Sequence, residues 1–222
     1  MNLAPYIDHT LLKPEATPAQ IRQLCAEAAE HQFASVCVPP CYVRLAAEQL
    51  LGTGVPVCTV VGFPLGYSLA KVKFFEAHLA LTDGATELDM VINIGALKAG
   101  ERAEVEEEIG QLAELCHFRG AILKVILETA LLSEAEIVTA CQLCAEAGAD
   151  FVKTSTGFAS RGASVADIEL MRQSLPAGIR IKAAGGIRTR AAALALVTAG
   201  ADRLGSSNSL ALLQEDDETP TT

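Results

Sequence analysis

The sequence predicts a single-domain α/β fold, a (β/α)8 barrel, and three observations carry that prediction. Short β-type runs alternate with longer helical ones from one end of the chain to the other. The strand runs are apolar on both faces, as in Val57 to Val61, which suits a parallel sheet covered by helices. The chain has 222 residues, near the length of about 250 usual for such barrels. No linker rich in proline, glycine or serine divides it. An open nucleotide-binding sheet would usually carry G-x-G-x-x-G after its first strand, and this chain has none.

In order, strands are expected at 6–10, 34–38, 57–62, 87–92, 123–127, 151–155, 180–183 and 203–205. Helices are expected near 18–31, 41–51, 68–82, 101–118, 133–147, 164–174 and 189–199, with a short last one from about 207. The first helix shows its start in Thr17-Pro18, a cap followed by a first-turn proline. Ile21, Leu24, Cys25 and Ala28 give it one apolar face at three- and four-residue spacing. Ser133 with Glu136 fits a capping box for the helix that follows the fifth strand. The barrel is expected to occupy residues 1–213, with 214–222 as an acidic, disordered tail.

Composition narrows the function classes. The net charge of −10 argues against a nucleic-acid surface, which needs a basic stripe. Five glutamates between Glu101 and Glu108 read as a solvated helix face. Any anionic substrate must then be held by a local site, because the global field repels it. The longest apolar stretches fall far short of the roughly 20 residues of a spanning helix. Met1 to Thr10 has neither the basic start nor the apolar block of a signal peptide, so a cytoplasmic location is expected. Seven cysteines lie scattered through strands and helices. Cys141 and Cys144 form a C-x-x-C pair without a second pair or a histidine at ligand spacing, and read as buried, reduced thiols. Cys37 and Cys41 receive the same reading, with Cys37 placed so that it could face a pocket. The four histidines include no pair at ligand spacing, which agrees with the expectation that no metal or cofactor takes part.

The chemistry concentrates at polar residues inside apolar strands. Lys153 in Asp150-Phe-Val-Lys-Thr-Ser-Thr-Gly157 and Lys182 in Ile179-Arg-Ile-Lys-Ala-Ala-Gly-Gly186 stand where a lysine is hard to solvate. Repulsion between them and loss of solvent would both lower their pKa values. A lysine so depressed supplies the neutral amine that attacks a carbonyl to form a Schiff base. Asp8, Asp89 and Lys124 lie in three further strands. Any one of these five, taken alone, reads better as a structural ion pair. Together, at the strand ends where barrels place their active sites, they read as a functional site. Gly185-Gly186 follows the seventh strand and Gly205-Ser206-Ser207 the eighth, the loops with which barrels often bind phosphate. Thr156-Gly157 could contribute from the sixth.

Seven segments, in order, carry a family resemblance. They are Tyr6-Ile-Asp-His-Thr-Leu-Leu12, Ser35-Val-Cys-Val-Pro39, Val60-Val-Gly-Phe-Pro-Leu-Gly66, Glu87-Leu-Asp-Met-Val-Ile-Asn-Ile-Gly-Ala-Leu97, Leu123-Lys-Val-Ile-Leu-Glu-Thr129, Phe151-Val-Lys-Thr-Ser-Thr-Gly-Phe158 and Ile181-Lys-Ala-Ala-Gly-Gly-Ile187. The chain resembles the deoxyribose-phosphate aldolases, class I enzymes on a (β/α)8 barrel that work without a metal. The resemblance implies reversible cleavage of 2-deoxy-D-ribose 5-phosphate to D-glyceraldehyde 3-phosphate and acetaldehyde. It implies Lys153 as the Schiff-base lysine, with Lys182 lowering its pKa and sharing in proton transfer. Asp89 becomes the acid–base carboxylate, Lys124 a member of the same network and Asp8 a pocket residue. Gly157, Gly185, Gly186, Gly205 and Ser207 match phosphate-binding turns. The chain departs from some members in having Asn208 where they have a second serine, and no tyrosine in its tail.

Two other readings stay open at this level. One is a phosphate-binding barrel enzyme that forms no imine, with the lysines acting as cations. The other is a non-catalytic barrel that binds a phosphorylated ligand or a partner protein. The expected partner is a small sugar phosphate. The outer helix faces leave room for a homo-oligomer without specifying one.

Overall fold

The computed structural model describes residues 1–214, and the expected acidic tail lies, beyond Gln214, outside the described residues. Eight parallel strands pair in sequence order, and the last pairs with the first, so the sheet closes into a barrel. The strands are β1 (Ile7–Thr10), β2 (Ser35–Val38), β3 (Val57–Val61), β4 (Glu87–Val91), β5 (Ile122–Ile126), β6 (Phe151–Lys153), β7 (Arg180–Ala184) and β8 (Arg203–Ser206). The helices are α1 (Pro18–His31), α2 (Val43–Gln49), α3 (Ala70–Thr82), α4 (Ile94–Ala99), α5 (Arg102–Phe118), α6 (Glu134–Glu146), α7 (Val165–Ser174), α8 (Arg190–Thr198) and α9 (Ser209–Leu213).

Local signals set the helix starts. Thr17 and Ser133 each close a capping box, with Gln20 and Glu136 respectively, so two orphan donors are satisfied at each end. The buried face of α1 is Ile21, Leu24, Cys25 and Ala28, as its periodicity predicts. Helix α4 was not predicted, because its six residues are too few to show a period. Asn93 caps its start and Gly100, at φ 79°, ends it. The β6 strand stops at Lys153, two residues short of expectation. The last helix begins at Ser209 rather than near 207.

Burial corrects two readings, one in each direction. Glu108 lies on the glutamate-rich start of α5 yet is buried against Lys73 of α3, with Nζ and Oε1 2.7 Å apart. Lys73 also donates to the Val91 carbonyl at 2.8 Å, so this pair ties α3 and α5 to the end of β4. Cys41 is exposed on a 3₁₀ turn, Pro40–Tyr42, instead of buried, because that turn carries the chain out of β2. Cys37, Cys141 and Cys144 are buried free thiols. Leu69, Val72, Phe75 and Leu79 form an exposed apolar stripe at the start and along α3. Among the described residues, no helix is long and apolar enough to cross a membrane.

Candidate active site

Strand register brings the charged residues together. Asp89 pairs laterally with Lys124, Lys153 with Lys182, and Lys182 with Arg203. Residues two apart on a strand share a face, so Glu87 joins Asp89 inside the barrel. The result is a buried ion network. Asp89 Oδ2 lies 2.8 Å from Lys153 Nζ and 2.7 Å from Lys182 Nζ, and Oδ1 lies 2.9 Å from Lys124 Nζ. Asp8 contacts Lys182 and, at 2.6 Å, Arg203. Glu87 contacts Lys124 at 2.6 Å and Arg203 at 3.0 Å. Glu87 and Arg203 were missed in the sequence, although Glu87 shares the parity of Asp89 on the same strand.

This network has a definite charge count. Four cations (Lys124, Lys153, Lys182 and Arg203) face three carboxylates (Asp8, Glu87 and Asp89). Loss of one proton leaves it neutral, and an uncompensated buried charge is expensive. Lys124, Lys182 and Arg203 each touch at least two carboxylates, whereas Lys153 touches Asp89 alone. Lys153 is therefore the cation whose neutralisation breaks the fewest ion pairs.

The pKa directions agree with that geometry and overturn one expectation. Burial and mutual repulsion were expected to lower both Lys153 and Lys182. Burial does act to lower Lys182, but Asp8 and Asp89 outweigh it and hold the ammonium above the ordinary lysine range. Lys124 is held well above that range against the same burial effect, chiefly by Asp89. Burial would raise the Asp89 carboxyl, yet Lys124, Lys153 and Lys182 together hold it well below the usual carboxylate range. Asp8 is depressed in the same way by Lys182, Arg203 and Lys124. These four groups thus rest in their charged forms.

Above it opens a cavity of about 510 Å³. Lys153, Thr156, Gly157, Gly185 and Gly186 line it, as do Gly205, Ser206 and Ser207. Asp8, Asp89, Lys124 and Lys182 do not line it. They lie beneath, inside the barrel, rather than at the mouth where the sequence placed them. Lys153 alone among the network's residues belongs both to the ion cluster and to the cavity wall.

Gly157, Gly185 and Gly186 all have positive φ (88°, 86° and 75°), a conformation that glycine adopts without strain. Among the described residues, the N–H groups of Gly185, Gly186 and Ser207 donate to no protein acceptor, which leaves them free for an anion. The Ser206 hydroxyl is instead engaged with the Ile187 carbonyl at 3.3 Å and the Asn208 N–H at 3.0 Å. Gly205 has a second role, since a Cβ there would lie 3.2 Å from Lys182 Cε. Its bareness makes room for the lysine. Lys13 and Arg188, not singled out from the sequence, bring two cations to the cavity rim.

Cys37 and Cys58 are lateral partners on β2 and β3, and with Asp89 their ligand atoms lie within 4.8 Å of one another. The three ammonium groups on Asp89 oppose a metal cation there, and Cys58 Sγ instead donates to Asp89 Oδ1 at 3.1 Å.

The DeoC/LacD family aldolase model matches residues 3–213. A deoxyribose-phosphate aldolase of Actinobacillus succinogenes is 52% identical over 212 residues, covering 96% of this chain and 94% of that protein. One of Clostridium novyi is 51% identical over 214 residues, with 96% of each chain covered. Among solved structures, an aldolase called QR15 superposes with a TM-score of 0.91 at 40% identity, over 96% of this chain and 95% of the other. A deoxyribose-phosphate aldolase from Aeropyrum pernix, described as a unique tetramer, gives 0.89 at 36% identity, over 95% and 89%.

Proposed function

The chain belongs to the DeoC/LacD family of aldolases, and from that premise we propose that it reversibly cleaves 2-deoxy-D-ribose 5-phosphate to D-glyceraldehyde 3-phosphate and acetaldehyde through a Schiff base on Lys153. The observation that carries the choice of lysine is its double membership. Lys153 is the network cation that faces the cavity, and its neutralisation balances the buried charge.

The neutral amine attacks the C1 aldehyde of the open-chain sugar, and loss of water leaves a protonated imine. That cation accepts the electron pair of the C2–C3 bond as a base removes the C3 hydroxyl proton. D-Glyceraldehyde 3-phosphate departs, the enamine is protonated at C2, and hydrolysis frees acetaldehyde and Lys153. Asp89 and Lys182, working through water, are the groups proposed for these proton transfers, worth about 10²–10⁴-fold together with positioning. Lys182 also fixes a positive field beside Lys153, through the carboxylate oxygen they share. Lys124, Asp8, Glu87 and Arg203 hold that field in place from below.

The phosphate is assigned to Gly157, Gly185, Gly186, Gly205 and Ser207, with backbone N–H groups as its main donors. Lys13 and Arg188 add positive charge from the rim. A coupled assay for glyceraldehyde 3-phosphate release from the sugar phosphate tests this reading. No release, or release with no trappable imine, would favour a barrel enzyme of another chemistry.

A second copy of the chain is the inferred cover for the apolar stripe on α3, since the Aeropyrum pernix relative is tetrameric. Sedimentation of wild type and Phe75→Glu tests it, with dissociation expected in the variant and an unchanged mass counting against it. A cytoplasmic location remains part of the proposal.

A further inference from the structure

Glu128 combines three features that each oppose stability. Its backbone is left-handed, at φ 59° and ψ 64°, a region that a residue with a side chain seldom occupies. Its side chain is 3% exposed, although it is a carboxylate. One of its oxygens, Oε1, is buried without a hydrogen-bond partner among the described residues. A residue this unfavourable persists where surrounding structure holds it for another purpose.

The other oxygen indicates that purpose. Glu128 Oε2 accepts from the Thr156 backbone N–H at 3.2 Å and from the Thr156 hydroxyl. Thr156 Oγ1 in turn accepts from the Phe158 N–H at 3.0 Å, bracketing Gly157. The neighbours of Glu128 are tied to the same loop, because Leu127 N–H donates to the Lys153 carbonyl and Thr129 N–H to the Thr154 carbonyl. Glu128 itself is absent from the cavity wall, whereas Thr156, Gly157 and Phe158 belong to it. The carboxylate stands behind the turn.

We propose that Glu128 is a positioning residue that clamps the Thr156–Gly157–Phe158 turn and so sets the distance between the phosphate anchor and Lys153. The inference rests on the phosphate assignment given above. Thr156 then serves the site through its oriented backbone. Its hydroxyl proton is committed to Glu128, and the N–H of Gly157 is left to face the anion. Bonds to a carboxylate are about twice as strong as neutral ones, which suits a clamp that must resist the pull of a doubly charged ligand.

Glu128→Gly separates this role from a purely structural one, because glycine relieves the left-handed backbone while removing the clamp. The variant should melt within a few degrees of wild type. Its KM for 2-deoxy-D-ribose 5-phosphate should rise by about tenfold or more, on the scale of one lost charge-assisted bond. Its KM for unphosphorylated 2-deoxy-D-ribose should change by less than about threefold, and borohydride should still trap acetaldehyde on Lys153. Glu128→Gln, whose amide oxygen can still accept both bonds, should recover most of the lost affinity. Thr156→Val provides an independent arm, since its KM effect should be non-additive with that of Glu128→Gly. Equal losses on both sugars, additive effects, or an unchanged KM for the phosphorylated sugar would overturn the inference. A wild type that treats the two sugars alike would overturn the phosphate assignment itself, and this inference with it.

Discussion

Lys153 and Lys182 meet across a single carboxylate oxygen, Asp89 Oδ2, at 2.8 and 2.7 Å. Two ammonium groups on one oxygen repel each other, and only their shared anion makes the arrangement tolerable. The asymmetry around them decides their roles. Lys182 is completely enclosed and has Asp8 as a second anion, whereas Lys153 has no second anion and opens to the cavity.

Lys182→Leu should remove one positive charge and leave three cations facing three carboxylates. Lys153 then balances the cluster only by keeping its proton. Imine formation at neutral pH should fall by about 100-fold or more and recover as pH rises toward the ordinary lysine value of about 10.4. Lys182→Arg restores the charge but cannot give up a proton. Acetaldehyde trapping on Lys153 should therefore persist at neutral pH, while turnover falls nearly as far as in the leucine variant. A wild-type pH–rate profile in Lys182→Leu would contradict this assignment.

Gly205→Ala should disturb the same lysine sterically. Its Cβ would lie 3.2 Å from Lys182 Cε and 3.1 Å from Ala184 Cβ, so both neighbours must shift by a few tenths of an ångström. A stability loss of about 1–2 kcal/mol is expected, with a lower kcat, as for other overpacked interiors. Urea unfolding and steady-state kinetics read both. Full activity with unchanged stability would show that Lys182 has slack.

The fold was legible wherever one period dominated. Every strand was found in the sequence because short β-type runs alternate regularly with longer helical ones. Helix α4 was hidden, since six residues are too few to show a helical period. Of the site, the three lysines and two aspartates stood out because charge inside an apolar run is conspicuous. Glu87 and Arg203 head their strands and looked like ordinary strand borders, although strand parity places Glu87 with Asp89. Glu128 gave no signal, because a left-handed backbone at a residue other than glycine is invisible in sequence. The pKa direction of Lys182 was misread because the second carboxylate beside it, Asp8, comes from a strand far away in the chain.

Stability should depend on pH through the same network. Asp8 and Asp89 titrate well below the unfolded value of 3.8. Their contribution is present above that value and is lost as pH falls through the folded pKa values. Lys124 and Lys182 titrate above the unfolded value of 10.5, so their contribution is complete below it and lost only at higher pH. Urea midpoints should show no transition from these groups between about pH 5 and pH 10. Asp89→Asn, which leaves the lysines uncompensated, should lower stability by about 3–5 kcal/mol near neutrality. A neutral or stabilising effect there would mean that the lysines shed charge without Asp89.

Ser207→Asp should place a carboxylate beside the free N–H groups of the glycine turns. Its charge would oppose the phosphate. KM for the phosphorylated sugar should rise about tenfold or more, and far less for unphosphorylated 2-deoxy-D-ribose. Arg188→Ala should shift KM in the same direction by a smaller factor, with greater sensitivity to salt in the wild type. Equal losses on both sugars would move the phosphate elsewhere.

The central claim is that Lys153 carries the imine. Protein reduced with borohydride in the presence of acetaldehyde should gain one ethyl group, and peptide mapping by mass spectrometry should locate it on Lys153. An adduct chiefly on Lys182 or Lys124, or no adduct in enzyme that turns over the sugar phosphate, would contradict the account.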